Sequence, residues 1–208
     1  MRFIFSLVAL VWSAAALSQG AAYLEGEHYQ ALANPVPTSH PGKIEVAEVF
    51  AYTCPHCFNF AAPLHAWQRQ QKDDVVLVEV PAMWNSAMEV YARGFYTAKA
   101  LGLFEQVHMP IFTAMHQEGK QFGSADDWAA FFANYGADPD TVKKTYSSFG
   151  VTSQVKQADA KVRGYKISGT PELVVEGKYR ISSRMTGSHS EMLKVADYLI
   201  DQIRAGEL

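Results

Sequence analysis

Cysteine is nearly absent from this chain: there are two, Cys54 and Cys57, in 208 residues. Two thiols cannot staple a protein of this size, which excludes a small disulfide-held scaffold. They cannot complete a structural zinc site either. Such a site takes four ligands, and there is no second CxxC and no HxxxH, with the six histidines other than His56 scattered through separate segments. An excess of one charge is also missing, since 18 basic residues stand against 21 acidic ones. That balance gives no electrostatic footprint for a nucleic acid. Beyond the first 22 residues no apolar run approaches the ~20 residues of a spanning helix, and there are no internal repeats or low-complexity tracts.

The chain opens with MRFIFSLVALVWSAAALSQGAA. Arg2 supplies a positive start, an apolar run extends from Phe3 to Leu17 interrupted by Ser6 and Ser13, and Gly20, Ala21 and Ala22 precede Tyr23. This three-part pattern predicts a secretory signal peptide over residues 1–22, cleaved after Ala22. Export places the rest of the chain where disulfides persist.

Along that remainder, GEHYQALANPVPTSHPG reads as a short extended piece followed by a loop. KIEVAEVFAY is a β-branched and aromatic run, the pattern of a buried strand. A helical pattern then extends from Pro55 to about Gln71 with Pro63 inside it, and Val75 to Pro81 forms a second apolar strand. Strand, helix and strand in this order predict a βαβ unit with parallel strands. From Ser86 to Lys166 apolar residues recur at spacings of three and four, with Gly102, Gly119, Gly136 and Gly150 as expected helix stops. Four or five helices are expected there. LVVEGKYRI predicts a hairpin turning at Glu176-Gly177-Lys178, and a closing amphipathic helix follows from a serine start. The domain organisation expected is therefore one open-sheet domain, residues 23–84 and 167–208, interrupted by an all-helical insertion, residues 85–166.

CPHC falls where the first long strand gives way to a helix. With Cys54 at the cap, Pro55 occupies the first helical position, where its missing N–H costs nothing. The Cys54 sulfur is then expected beside unpaired N–H groups and the positive end of the helix dipole, which favour thiolate over thiol. A charged or N–H-donating His56 adds to this. Spacing of three on one turn also puts the two Cα atoms within disulfide reach. A staple closing so short a loop would constrain the unfolded chain little, so the pair is expected to be redox-active. Stabilising the thiolate leaves the disulfide form comparatively unstable. A thiolate pKa of ~4 instead of ~8.5 would favour the dithiol at pH 7 by ~4 kcal/mol, or roughly 90 mV for two electrons.

Two further features bear on the site. Glu48 stands in an otherwise apolar strand, sharing a face with Val46 and Phe50. It is either a buried base that handles the Cys57 proton or an acid on an exposed edge or in an ion pair. SGTPEL, with Thr170 and Pro171, precedes an apolar strand. On composition alone a cis bond at Pro171 is not expected, since only ~5% of X–Pro bonds in folded proteins are cis.

The combination of a signal sequence, EVFAYTCPHC after the first strand, a long helical insertion and GTPELVVEGKY resembles the DsbA family of periplasmic dithiol oxidases, over nearly the whole mature chain. The resemblance implies an α/β protein with a thioredoxin-like fold carrying an inserted all-helical domain. It makes Cys54 the exposed nucleophile, Cys57 the buried resolving thiol, His56 the residue that tunes Cys54 and Glu48 the buried acid. It also makes Pro171 a cis-proline facing the disulfide, preceded by Thr170, with Pro55, Thr170 and Pro171 on the substrate side. No metal or cofactor is implied. The implied partners are reduced or unfolded exported polypeptides and a quinone-linked membrane oxidase of the DsbB type, with a monomer working in the periplasm. A low thiolate pKa and an oxidising potential are properties of the family, so the resemblance carries them independently of the spacing argument. The chain departs from the family at three places. Threonine stands where valine often precedes the cis-proline, Glu172 is expected near the peptide groove, and Thr53 replaces an aromatic residue before CPHC. A periplasmic reductase or isomerase is the competing assignment within thiol chemistry, and a metal-binding or chaperone module the competing one outside it.

Overall fold

Residues 23–208 are described by the computed structural model; the expected signal peptide lies outside them. A five-stranded sheet in the order β1-β5-β4-β2-β3 organises the chain. Its interior strand β2 (Ile44–Phe50) is parallel to the edge strand β3 (Val75–Pro81) and connected to it through α1 (Pro55–Gln68). On its other side β2 pairs antiparallel with β4 (Glu172–Val175), which forms a hairpin with β5 (Tyr179–Ser182). The two-residue strand β1 (Gln30–Ala31) adds to β5. The hairpin turns through Glu176 and Gly177, both in the left-handed region at φ 52° and 60°. A Cβ on Gly177 would also stand 1.9 Å from the Val36 carbonyl oxygen, so no other residue fits that close approach.

The near-continuous apolar character of β2 follows from its interior place with both faces covered. Val46 packs with Phe60, Leu64, Leu173 and Leu199 on the side of α1 and α8 (His189–Ala205). Ala47 and Val49 pack with Val80, Ala158, Val162 and Val174 on the opposite side. Alternation along the strand therefore sends Val46, Glu48 and Phe50 to the α1 side. α1 stops at Gln68 rather than Gln71 and contains Pro63.

Between β3 and β4 lie five helices: α2 (Ser86–Ala100), α3 (Phe104–His116), α4 (Ala125–Ala133), α5 (Pro139–Tyr146) and α6 (Phe149–Gly164). Side chains of Asn85, Ser124, Asp138 and Ser148 cap α2, α4, α5 and α6, each accepting from a first-turn N–H. Gly102, Gly119 and Gly136 have positive φ, as helix stops require. Gly150 does not stop a helix. Ser148 begins the next one, and Gly150 lies in its first turn. The helical block has its own core around Phe95, Ile111, Phe112, Trp128 and Phe132, and that core also takes in Phe50, Tyr52 and Cys57. After β5, the single turn α7 (Ser183–Thr186) leads to α8. α8 is capped by Ser188 and tied to the sheet domain by Trp67 Nε1–H donating to Asp197 at 2.7 Å. Among the described residues no helix is long and apolar enough to cross a membrane.

The packing of α2 on α4 admits only glycine at position 94, where a Cβ would lie 2.2 Å from the Trp128 indole. Trp128 is fully buried and stacked 4.2 Å from Phe122, so the ring has nowhere to move. Gly94→Ala is expected to lower the free energy of urea unfolding by about 1–3 kcal/mol, because overpacking outweighs the gain in helix propensity.

Candidate active site

β2 ends at Phe50, and the chain turns through Ala51, Tyr52 and Thr53 before α1 begins. Cys54 is the N-cap of α1, with extended backbone and Pro55 directly after it, and its N–H donates to the Ala51 carbonyl at 3.0 Å. His116 of α3 holds the same turn, its Nε2 lying 2.8 Å from the Tyr52 carbonyl oxygen while its ring stacks on Phe58. The Cys54 side chain is half-buried, whereas Cys57, one turn on, is fully buried. Facing Cys54 is the Thr170–Pro171 bond, which is cis. The Cys54 thiol donates to the Thr170 carbonyl at 3.3 Å, across 116 residues of sequence. Pro55 and His56 are exposed beside it. Thus β2, α1 and the loop before β4 bring together Cys54, Cys57, Pro55, His56, Thr170 and Pro171, with Glu48 beneath.

The two thiols are electrostatically opposite. Cys54 is drawn down from 9.0 to about 5, first by the Cys57 thiol donating to its sulfur, against the effect of burial, and then by the Thr170 side chain and the N–H groups of Cys57 and His56. Cap geometry is looser than the sequence predicts, because no first-turn N–H closes a full hydrogen bond to the sulfur. The carbonyl contact at Thr170 favours the thiol form and the Thr170 side chain the thiolate; the balance lies with the thiolate. Cys57 is pushed the other way by burial, by donating to Cys54 and by the nearby Glu48 carboxyl.

Glu48 is 1% exposed, and its Oε1 has no hydrogen-bond partner. Burial raises its pKa well above the usual carboxylate range, and the charges of Glu79 and Cys54 push in the same direction. Glu79 is its register partner on β3. Burial works against ionisation there too, but His65 and the Lys99 ammonium hold Glu79 down to about 2. His65 Nε2 lies 3.5 Å from Glu79 without hydrogen-bond alignment, so the Lys99 bond at 3.2 Å is the firmer of the two. Like charges on adjacent buried carboxyls oppose one another. Ionisation is favoured at Glu79 and disfavoured at Glu48, which is close enough to Cys57 to influence its titration.

The sequence of residues 72–197, from just before β3 into α8, matches the model of the DSBA-like thioredoxin domain. The chain belongs to this family. It is 40% identical over 182 residues to the thiol:disulfide interchange protein DsbA of Azotobacter vinelandii, covering 88% of this chain and 85% of that one. The fold is similar to the crystal structure of Pseudomonas aeruginosa DsbA, with TM-score 0.84 and 38% identity over 89% of this chain and 96% of that one. Similarity extends to the oxidoreductase DsbA of Xylella fastidiosa, with TM-score 0.83 and 34% identity over 88% of this chain and 98% of that one. The thioredoxin-like fold with a helical insertion is therefore established.

Within this DsbA-like frame one sequence expectation is overturned. Glu172 does not line a peptide groove; it is 3% exposed and turned inward. Its Oε1 accepts from Ser168 Oγ at 3.1 Å, and Arg180 stands 3.6 Å from Oε2, so the acid braces the loop that carries Thr170. Thr53, by contrast, is exposed next to Cys54. Sequence reasoning missed Glu79 and His116. Glu79 carried the same signal as Glu48, an acid inside an apolar strand, but its position opposite Glu48 depends on sheet register. His116 carried no signal at all.

Cys54 reactivity reports these assignments directly. In the reduced protein, alkylation by iodoacetamide is expected to follow a single titration near pH 5 at Cys54, with Cys57 unmodified throughout neutral pH. A midpoint near 8, followed by mass spectrometry of the two sites, contradicts this geometry.

Proposed function

We propose that this protein is a thiol:disulfide oxidoreductase that donates the Cys54–Cys57 disulfide to reduced, newly exported polypeptides. The observation that carries the proposal is the half-exposed Cys54 sulfur, drawn down to about 5, one turn from a buried thiol pushed up. A substrate thiolate attacks Cys54 Sγ, the Cys54–Cys57 bond breaks, and Cys57 leaves and takes up a proton. A second substrate thiolate then attacks the substrate sulfur of the mixed disulfide, and Cys54 leaves as a thiolate. Two electrons pass from the substrate dithiol to the protein, and the substrate gains a disulfide. Cys54 is suited to the second departure because a low thiol pKa makes a good leaving group. Glu48, protonated and near Cys57, is the proton donor to the departing sulfur and its acceptor in the reverse step. His56 supports the Cys54 thiolate, while Pro55, Thr170 and Pro171 form the surface against which the substrate chain lies.

The wider setting belongs to the same proposal. A signal peptide over residues 1–22 directs export to the periplasm. There a thioredoxin-like domain of residues 23–84 and 167–208, with residues 85–166 as its helical insertion, acts as a monomer. Returning the dithiol to the disulfide needs a two-electron acceptor, which we assign to a quinone-linked membrane oxidase of the DsbB type. The reaction itself uses no bound cofactor.

Equilibration with glutathione redox buffers at pH 7, read by alkylation and mass, is expected to give a potential more oxidising than about −200 mV. A thioredoxin-like value near about −270 mV would point to a reductase instead. For Glu48→Gln, the neutral carboxamide keeps the volume but cannot exchange a proton. Resolution of a Cys54 mixed disulfide at pH 7 is expected to slow by about 10-fold or more. An unchanged rate in a folded variant assigns Glu48 a structural role.

A further inference from the structure

A second histidine stands beside His56 at the start of α8. His189 is the first residue of α8, and its ring centroid lies 6.2 Å from that of His56 with the planes at 82°. Its ring also rests against Phe60, at 4.9 Å and 44°. Phe60 is fully buried one turn along α1 from His56, so an apolar floor beside the active-site turn seats the imidazole. The partners of His189 are thus set by the packing of α8 on α1, two elements far apart in sequence. The ionisable groups that bear on it are His56 and Cys54 of α1. Two residues on, the Glu191 carboxylate is engaged by the Tyr23 hydroxyl at 2.7 Å and by Lys194 at 3.0 Å. Arg184 of the adjoining α7 is exposed to solvent.

We propose that His189 is a positioning residue of the dithiol site, holding His56 edge-on over the first turn of α1 and binding its own proton more tightly when Cys54 is a thiolate than when Cys54 is in the disulfide. The inference rests on Cys54 being the redox-active nucleophile. A charge on a neighbouring imidazole lowers the affinity of His189 for a proton, and a neighbouring thiolate raises it. Burial and His56 lower the pKa of His189, whereas the Cys54 thiolate raises it. When Cys54 and Cys57 are oxidised to the disulfide, two electrons leave, the thiolate charge disappears, and His189 releases a fraction of a proton. Reduction reverses this. The disulfide accepts two electrons, Cys57 takes up one proton, and His189 takes up a further fraction of one.

The sign follows from that proton uptake. Between about pH 5, where Cys54 itself takes a proton, and about pH 6.5, where free histidine loses its own, falling pH favours the dithiol form. The protein becomes a stronger oxidant across this window than Cys57 protonation alone would make it. Above the window the His189 ring is neutral and the contribution fades.

The decisive measurement is an NMR titration of the His189 ring in the reduced and the oxidised native protein. The midpoint is expected to lie about half a pH unit or more higher in the reduced form, about a threefold change in proton affinity. Equal midpoints in the two redox states overturn the proposal. Two variants give an independent readout. His189→Gln removes the ring, and His189→Phe keeps a ring on Phe60 without a proton. Each is expected to shift the glutathione equilibrium at pH 5.5 about two- to threefold toward the disulfide form, with the difference fading by pH 8. A shift in His189→Gln that His189→Phe does not share assigns His189 to packing alone and also overturns the proposal. A Cys54 that titrates near 8 in the parent protein defeats the oxidase assignment. A Cys54 that titrates near 5 beside a redox-insensitive His189 defeats only this one.

Discussion

Cys54 and Cys57 stand one turn apart on the same helix, yet their sulfurs meet opposite environments. Cys54 lies at the protein surface, against the Thr170 carbonyl and beside N–H groups of the first helical turn. Cys57 points into the core and is wholly removed from water. Low dielectric penalises a charge on Cys57, and the thiol it therefore keeps donates to Cys54, which favours a charge there. The asymmetry is self-reinforcing: a buried thiol that cannot ionise makes a neighbour that ionises readily. The rest of the fold maintains this difference in burial.

The helical insertion contributes to that burial. Phe50, Tyr52 and Cys57 belong to the aromatic core of the helical block as well as to the sheet domain. His116 of α3 bonds the turn before Cys54 from above. The insertion thus packs directly against the site. The Gly94–Trp128 contact, some distance from the sulfurs, helps hold the helices against one another.

Beneath the sulfurs lie the two adjacent buried carboxyls of Glu48 and Glu79. Lys99 and His65 bear on Glu79, which favours the charge there, while burial disfavours it on Glu48, whose Oε1 has no partner. A group that holds a proton next to a thiol of raised pKa is suited to proton transfer at the buried end of the pair. At the exposed end, His56 and His189 occupy the corresponding position around Cys54. The dithiol therefore has an acid on its buried side and a pair of imidazoles on its open side.

Much of this was legible along the chain, because it depends on local pattern. The β-branched run of β2, Pro55 after Cys54, the turn at Glu176-Gly177 and the capped, glycine-stopped helices are each decided by neighbours within a few residues. Local signals also misled where two of them overlapped: Gly150 reads as a helix stop, but Ser148 just before it starts the next helix. What the chain could not state is which distant groups meet. Glu172 follows Pro171 and looked like a groove residue, but strand pairing turned it inward to Ser168 and Arg180. Glu79 reached Glu48 through parallel register, and His189 reached His56 through the docking of α8 on α1. The sequence by itself determined most of the secondary structure, the cysteine pair on one helical turn and the turn that presents it, since backbone geometry and capping act over a few residues. Only the tertiary structure decided how completely Cys57 is buried, which acid is favoured to carry the charge and which histidine meets His56, because desolvation and Coulomb interactions depend on distance in space.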